Sequence, residues 1–156
     1  MNFYTDGGCR GNGKRDAIGA AVAVHVRRWG KSIYWARSLP TYPPPTNQRA
    51  EIMGIILALK LALKRYQDLA SYPRLCVTIN TDSKYAIGCM TEWIHKWRNN
   101  EWTNARGIEV ANRELIEKAS DLHDRVEELG VVRYNWISRE DNKLADRLCN
   151  DKMDEQ

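Results

Sequence analysis

Four carboxylates stand out by the company they keep: Asp6 before two glycines, Glu51 early in a long apolar stretch, Asp82 after a run of β-branched residues, and Asp146 near the C-terminus. If folding gathers them into one crevice, their repulsion must be relieved by protonation or by bound cations, and hard oxygen ligands suit Mg²⁺ or Mn²⁺. Two such cations beside a phosphodiester would form a hydrolytic centre. Taken singly, each residue has a plainer use. Asp6 would shape a turn, Asp82 would cap a helix, Glu51 would favour the positive end of its helix, and Asp146 would pair with Lys143 or Arg147. Composition and periodicity do not choose between these readings.

The elements that must position them follow from the pattern of the chain. Met1 to Asp6 reads as a strand running into a turn at Gly7-Gly8, Gly19 to Val26 as a second strand and Ser32 to Arg37 as a third. The short separation at Trp29-Gly30 predicts a hairpin, and hence an antiparallel meander. Pro40 and Pro43 to Pro45 forbid regular structure until Thr46. From Asn47 to about Asp68, apolar residues fall around most of a helix, which predicts a largely buried one. Leu75 to Asn80 is a strand, and Thr81-Asp82-Ser83 offers capping chemistry for a helix running through Trp93 and Trp97. Glu109 to Leu129 reads as a one-faced amphipathic helix with Leu115, Ala119, Leu122 and Val126 inward. Val131 to Ile137 is the last strand, and Ser138 with Asp141 predicts a capping box for a helix to about Asp151.

This order implies one α/β domain over residues 1–156, a mixed sheet with helices on both faces. In such sheets, sites form beyond the carboxyl ends of strands where the strand order reverses. Asp6 and Asp82 share such a place if the first and fourth strands are neighbours, with Glu51 reaching over from the first turn of its helix and Asp146 from the last helix.

A chain of 156 residues buries a sufficient core without disulfides. The four cysteines, Cys9, Cys76, Cys89 and Cys149, form no CxxC pair and read as reduced thiols, mostly packing residues. The longest apolar run, Ile52 to Leu59, is too short to cross a bilayer. A soluble intracellular protein of cytoplasm or nucleus is expected, monomeric and without organic cofactor. The net charge of +4 and pI near 8.9 point weakly to an anionic partner. Location says more: positive charge gathers at Arg10 to Arg15, at Arg27, Arg28 and Lys31, and around Lys96 and Arg98, against an acidic stretch from Glu114 to Glu128.

Four local sequences bear on the choice left open above: Tyr4-Thr5-Asp6-Gly7, Thr46-Asn47-Gln48-Arg49-Ala50-Glu51, Thr81-Asp82-Ser83-Lys84-Tyr85, and Asn142-Lys143-Leu144-Ala145-Asp146-Arg147-Leu148. In this order and at these spacings they resemble the type 1 ribonuclease H family, in its eukaryotic-like catalytic domain. The resemblance implies a ribonuclease H-like fold with a five-stranded mixed sheet, and hydrolysis of the RNA strand of RNA/DNA hybrids to 5′-phosphate and 3′-hydroxyl ends. It makes Asp6, Glu51, Asp82 and Asp146 the ligands of two Mg²⁺ ions, with Mn²⁺ as an alternative. One metal would activate water and the other stabilise the leaving 3′ oxygen. By the same similarity Asp6 bridges both metals, Asp146 serves the first, and Glu51 with Asp82 the second.

The resemblance also assigns Asn12, Asn47 and Gln48 to the RNA strand, where amides can meet 2′-hydroxyls and base edges in the minor groove. Trp93 to Trp102 is similar to the family's basic protrusion, so Trp93 and Trp97, with Tyr85, are expected on the DNA strand. Thr46 and Asn112 match part of a DNA phosphate pocket. For both tryptophans, packing into the core is an equally open reading, since they lie one helical turn apart.

Two departures matter. The family's glycine-rich loop with a histidine is replaced by Ile137-Ser138-Arg139-Glu140-Asp141-Asn142, and His25, His95 and His123 lie elsewhere. An intact carboxylate core with slower turnover is expected, Glu140 or Lys143 substituting in part. Pro44 stands where an arginine of the phosphate pocket is common, which predicts looser or differently built anchoring of DNA. Alternatives are a ribonuclease H domain of a reverse transcriptase polyprotein and a non-catalytic hybrid-binding module. Binding alone gains nothing from four anions near phosphates, which argues against the module.

Overall fold

The computed structural model of the chain describes residues 1–29 and 31–156. Strands β1 (Asn2–Arg10), β2 (Ile18–Val26) and β3 (Ile33–Ser38) form an antiparallel meander. Gly30, part of the expected hairpin turn, lies outside the described residues. Strand β4 (Leu75–Thr81) pairs parallel with β1, and β5 (Gly130–Trp136) parallel with β4, giving the order β3-β2-β1-β4-β5. The expected five-stranded mixed sheet is present, and β1 is where its pairing changes from antiparallel to parallel.

Helix α1 (Asn47–Gln67) begins where the prolines end, with the Thr46 hydroxyl accepting from the Arg49 N–H at 3.1 Å. Ile52, Ile55, Ile56, Leu59 and Leu61 are all almost wholly buried, each worth roughly 1.5–3 kcal/mol. The helix lies so close on β1 that a Cβ at Gly7 would stand 2.2 Å from the Ala50 carbonyl carbon. The expected turn at Gly7-Gly8 is therefore corrected: β1 runs straight through both glycines, and the first is there for a helix to approach.

The opposite face is covered by α5 (Lys143–Asp154), whose Ala145, Cys149 and Met153 pack on Ala20, Val22 and Val24. Strand β2 is thus buried on both sides, which explains its unbroken apolar run. Buried Asn80 of β4 ties the parallel strands together. It donates to the Phe3 carbonyl at 2.8 Å and accepts from Asn135 at 2.9 Å.

Three helical expectations are corrected. The helix after β4 is not continuous α: α2 (Lys84–Gly88) passes through a π turn, Cys89–Trp93, into α3 (Ile94–Asn99). The Trp93 ring folds back over Gly88, where a Cβ would meet it at 2.7 Å. Helix α4 (Arg113–Glu127) starts later than Glu109, because Thr103 and Glu109 bridge and Asn112 adopts a left-handed conformation that cannot extend a helix. Its inward face is as expected, with Leu115, Ala119, Leu122 and Val126 buried. The capping box at Ser138 is absent: its hydroxyl donates to Asp141 Oδ2 at 3.1 Å, and a 3₁₀ turn, Arg139–Asn142, leads into α5. All four cysteines are free; Cys89 and Cys149 are buried, whereas Cys76 is exposed. No helix of the described residues is long and apolar enough to cross a membrane.

Candidate active site

The last pair between β1 and β4 joins Thr5 to Thr81, and the next residue along each is a carboxylate: Asp6, inside β1 rather than at the strand end expected for it, and Asp82, just past the end of β4. Parallel pairing therefore delivers these two side by side. Helix α1 carries Glu51 over them, one turn in from its start rather than in the first turn. Its carboxylate is held by Ser83, whose hydroxyl donates to Glu51 Oε2 at 2.7 Å while accepting from the Ala86 N–H at 3.0 Å. Asp146 comes from the first turn of α5. That helix is pinned by buried Asn142, which donates to the Thr5 carbonyl at 2.9 Å. All four carboxylates line one crevice of about 310 Å³, together with Asn47, Arg139 and Cys149.

Charge in the crevice is unbalanced. Burial, then the Asp82 charge, push Asp6 up to about 7, with Asp146 adding to the rise and the Gly7 N–H opposing it. Burial also raises Glu51, and Asp82 adds to this, while the Ser83 hydroxyl and Arg139 hold it back. The salt bridge that reaches these carboxylates is from Arg139, Nε to Asp82 Oδ2 at 3.6 Å, and its side chain is 93% exposed. Four carboxylates in one crevice, with Asp6 and Glu51 both pushed up, offer the hard oxygen donors that fit a divalent cation, or a pair of them. Asp6 is acted on by both Asp82 and Asp146.

A second grouping, His123, Asp124 and Glu127 on α4, does not belong to this crevice. His123 is engaged by the Tyr134 hydroxyl at 2.8 Å and by Glu127 at 3.0 Å, and Asp124 by Arg98.

The residues expected on nucleic acid fall into two sets. Asn12 Oδ1 accepts from the Asn47 N–H at 2.8 Å, which joins the loop after β1 to the start of α1, with Gln48 exposed beside it. Thr46 and Asn112 are linked through Arg49: Thr46 takes its N–H, and Arg49 Nη1 donates to Asn112 Oδ1 at 3.4 Å. Asn112 also donates to the Tyr85 hydroxyl at 3.0 Å. From there the rings of Tyr85, Trp93, Trp97 and Trp102 follow one another at 5.9–6.1 Å.

The core-packing reading of the tryptophans is met in part. Trp93 and Trp97 are half-buried against the core, yet they line a shallow pocket with Gln48 and Tyr85. Of the basic residues expected on the protrusion, Arg98 is turned back to Ser120 and Asp124 of α4. The sequence reading of the site passed over three residues. In the sequence Ser83 reads only as a cap, Asn142 only as part of a motif, and Arg139 carries no signal beside Glu140 and Lys143, neither of which lines the crevice.

Residues 1–154 match the RNase H family. A ribonuclease H of Clostridium botulinum is 31% identical over 155 residues, covering 98% of this chain and 95% of that one. A ribonuclease H of Treponema pallidum subsp. pallidum is 32% identical over 162 residues, covering 97% and 89%. Among solved structures, LC11-RNase H1 in complex with RNA/DNA hybrid superposes with a TM-score of 0.68 at 22% identity, covering 99% of this chain and 96% of that one. On the extent of the family match and the two curated relatives, the chain belongs to the ribonuclease H family.

Proposed function

We propose that the chain cuts the RNA strand of RNA/DNA hybrids at the crevice formed by Asp6, Glu51, Asp82 and Asp146, which hold two Mg²⁺ ions, with Mn²⁺ an alternative. The reaction is that of the family, a divalent-metal-dependent endonucleolytic hydrolysis. The observation that carries the assignment to these residues is their convergence from four separate elements on one crevice, where burial and then the Asp82 charge push Asp6 up to about 7. Cations held there by Asp6, Glu51, Asp82 and Asp146 would supply Lewis-acid activation of water and neutralise charge on the leaving oxygen, consistent with 5′-phosphate and 3′-hydroxyl products.

The chain's own residues orient and select. Ser83 and Asn142 fix the directions of Glu51 and of the helix bearing Asp146. Asn47, which lines the crevice, takes the RNA strand together with Asn12, bonded to its N–H, and Gln48, its neighbour in sequence, and the structure of LC11-RNase H1 with a hybrid supports such a substrate for this fold. Tyr85, Trp93 and Trp97, with Thr46 and Asn112, take the DNA strand. Residues 1–156 act as one domain in this reading.

The test is cleavage of an end-labelled hybrid beside duplex RNA and duplex DNA, with Mg²⁺, with chelator, and with Asp6→Asn. Cutting of RNA in the hybrid alone, lost with chelator and with the substitution, is the expected result. Hybrid binding without cutting under any metal would move the chain to the binding-module reading.

A further inference from the structure

Two cations of the protein's own line the crevice: Arg10 is taken up by Asp154 at 2.7 Å, and the other, Arg139, comes from the segment that replaces the family's histidine loop. Arg139 lies on the 3₁₀ turn between β5 and α5, lines the crevice, and approaches Asp82 at 3.6 Å. Its charge also acts on Glu51. The pair is loose and its guanidinium is 93% exposed, so the contact is easily broken and the side chain has room to move. A divalent cation held by Asp82 would repel it. A planar guanidinium matches two phosphate oxygens, and the scissile strand must pass through this same crevice.

Resting on the reading above, we propose that Arg139 exchanges partners: it pairs with Asp82 while the crevice lacks metal, and with a phosphate of the RNA strand once cations are bound. It competes with metal in the free protein and holds substrate in the loaded one. A guanidinium stays protonated in proteins, so Arg139 contributes charge and position and does not move a proton as a histidine would.

The experiment uses the full chain with Arg139→Ala and Arg139→Lys. Mn²⁺ binding is followed by calorimetry without substrate, hybrid cleavage is measured at saturating Mg²⁺, and thermal unfolding serves as a check. Arg139→Ala is expected to bind Mn²⁺ about two- to five-fold more tightly. Its kcat/KM for the hybrid should fall roughly ten-fold or more, with the unfolding midpoint unchanged. Arg139→Lys should restore the metal isotherm and only part of kcat/KM, because an ammonium cannot make the bidentate contact. Arg139→Ala with the wild-type isotherm and wild-type kcat/KM overturns the proposal alone, as does a loss that tracks a lowered unfolding midpoint. A wild-type chain that binds no Mn²⁺ or leaves the hybrid uncut overturns the carboxylate reading, and this proposal with it.

Discussion

The Ser83 hydroxyl donates to Glu51 Oε2 at 2.7 Å, so the cap of one helix sets the direction of a carboxylate on another. Ser83→Ala removes both the cap bond to Ala86 and the hold on Glu51. The cap loss should cost about 1 kcal/mol, seen as a lower unfolding midpoint. The free Glu51 carboxylate should shift half-maximal activity to higher Mg²⁺, while Ser83→Thr, which keeps the hydroxyl, should show neither change in full. A Mg²⁺ titration unchanged in Ser83→Ala would confine Ser83 to capping.

Asp6 predicts an unusual dependence of stability on pH in the metal-free protein. Its folded value is about 7 against an ordinary 3.8, so between those values the folded chain holds a proton that the unfolded chain has released. Stability therefore falls as pH rises through that window and levels off above it. The contribution is on the order of 2–4 kcal/mol, the lower end allowing for partial solvation. Asp6→Asn carries no such proton, so its unfolding midpoint should exceed that of the parent most at pH 8 and least at pH 4. Divalent metal should raise the parent's midpoint at pH 8 and leave the variant's nearly unmoved. Parallel pH profiles for the two proteins would contradict this account.

The succession of strands and helices and the mixed sheet are legible because they rest on patterns with a physical period, apolar strands and a helix buried around most of its circumference; the gathering of the carboxylates is conditional on β1 lying beside β4, and the resemblance of the four local sequences is what favours it. What escaped the sequence was everything decided by contact between distant segments. Gly7 looks like turn chemistry until α1 is laid against it, and no local rule distinguishes a glycine that bends from one that makes room. The π turn after α2 depends on the Trp93 ring finding Gly88, and the late start of α4 on a bridge between Thr103 and Glu109. Arg139 was missed for the same reason. Glu140 and Lys143 are its neighbours in sequence, yet only the 3₁₀ turn decides which of the three side chains reaches the crevice.

Gly7 gives a direct test of that packing. A methyl group there would overlap the Ala50 carbonyl carbon, at 2.2 Å, and backbone cannot rotate aside as a side chain can. Gly7→Ala should destabilise by at least about 3 kcal/mol or fail to fold, and denaturant unfolding would measure it. Gly8→Ala is the contrast. Its Cβ would meet the flexible tip of Met153 at 3.1 Å, so a loss of about 1 kcal/mol or less is expected. Equal losses at the two positions would mean that α1 does not approach β1 as described.

Asn112 tests the DNA side without touching the carboxylates. It sits at φ 65°, bridging Arg49 and the Tyr85 hydroxyl, so replacement by alanine would mix backbone strain with loss of the amide. Asn112→Gly separates the two, because glycine accepts the left-handed conformation freely. The Arg49 pair with Glu114 at 2.5 Å remains to hold α1 against α4, so the unfolding midpoint should move little. If the amide meets a DNA phosphate, KM for the hybrid should rise roughly two- to ten-fold, the worth of one hydrogen bond, with kcat preserved. The same variant should leave the Mn²⁺ isotherm of the free protein unchanged, since Asn112 does not line the carboxylate crevice. An unchanged KM would leave Asn112 as a bridge within the protein, and would shift the anchoring of DNA to the rings of Tyr85, Trp93 and Trp97.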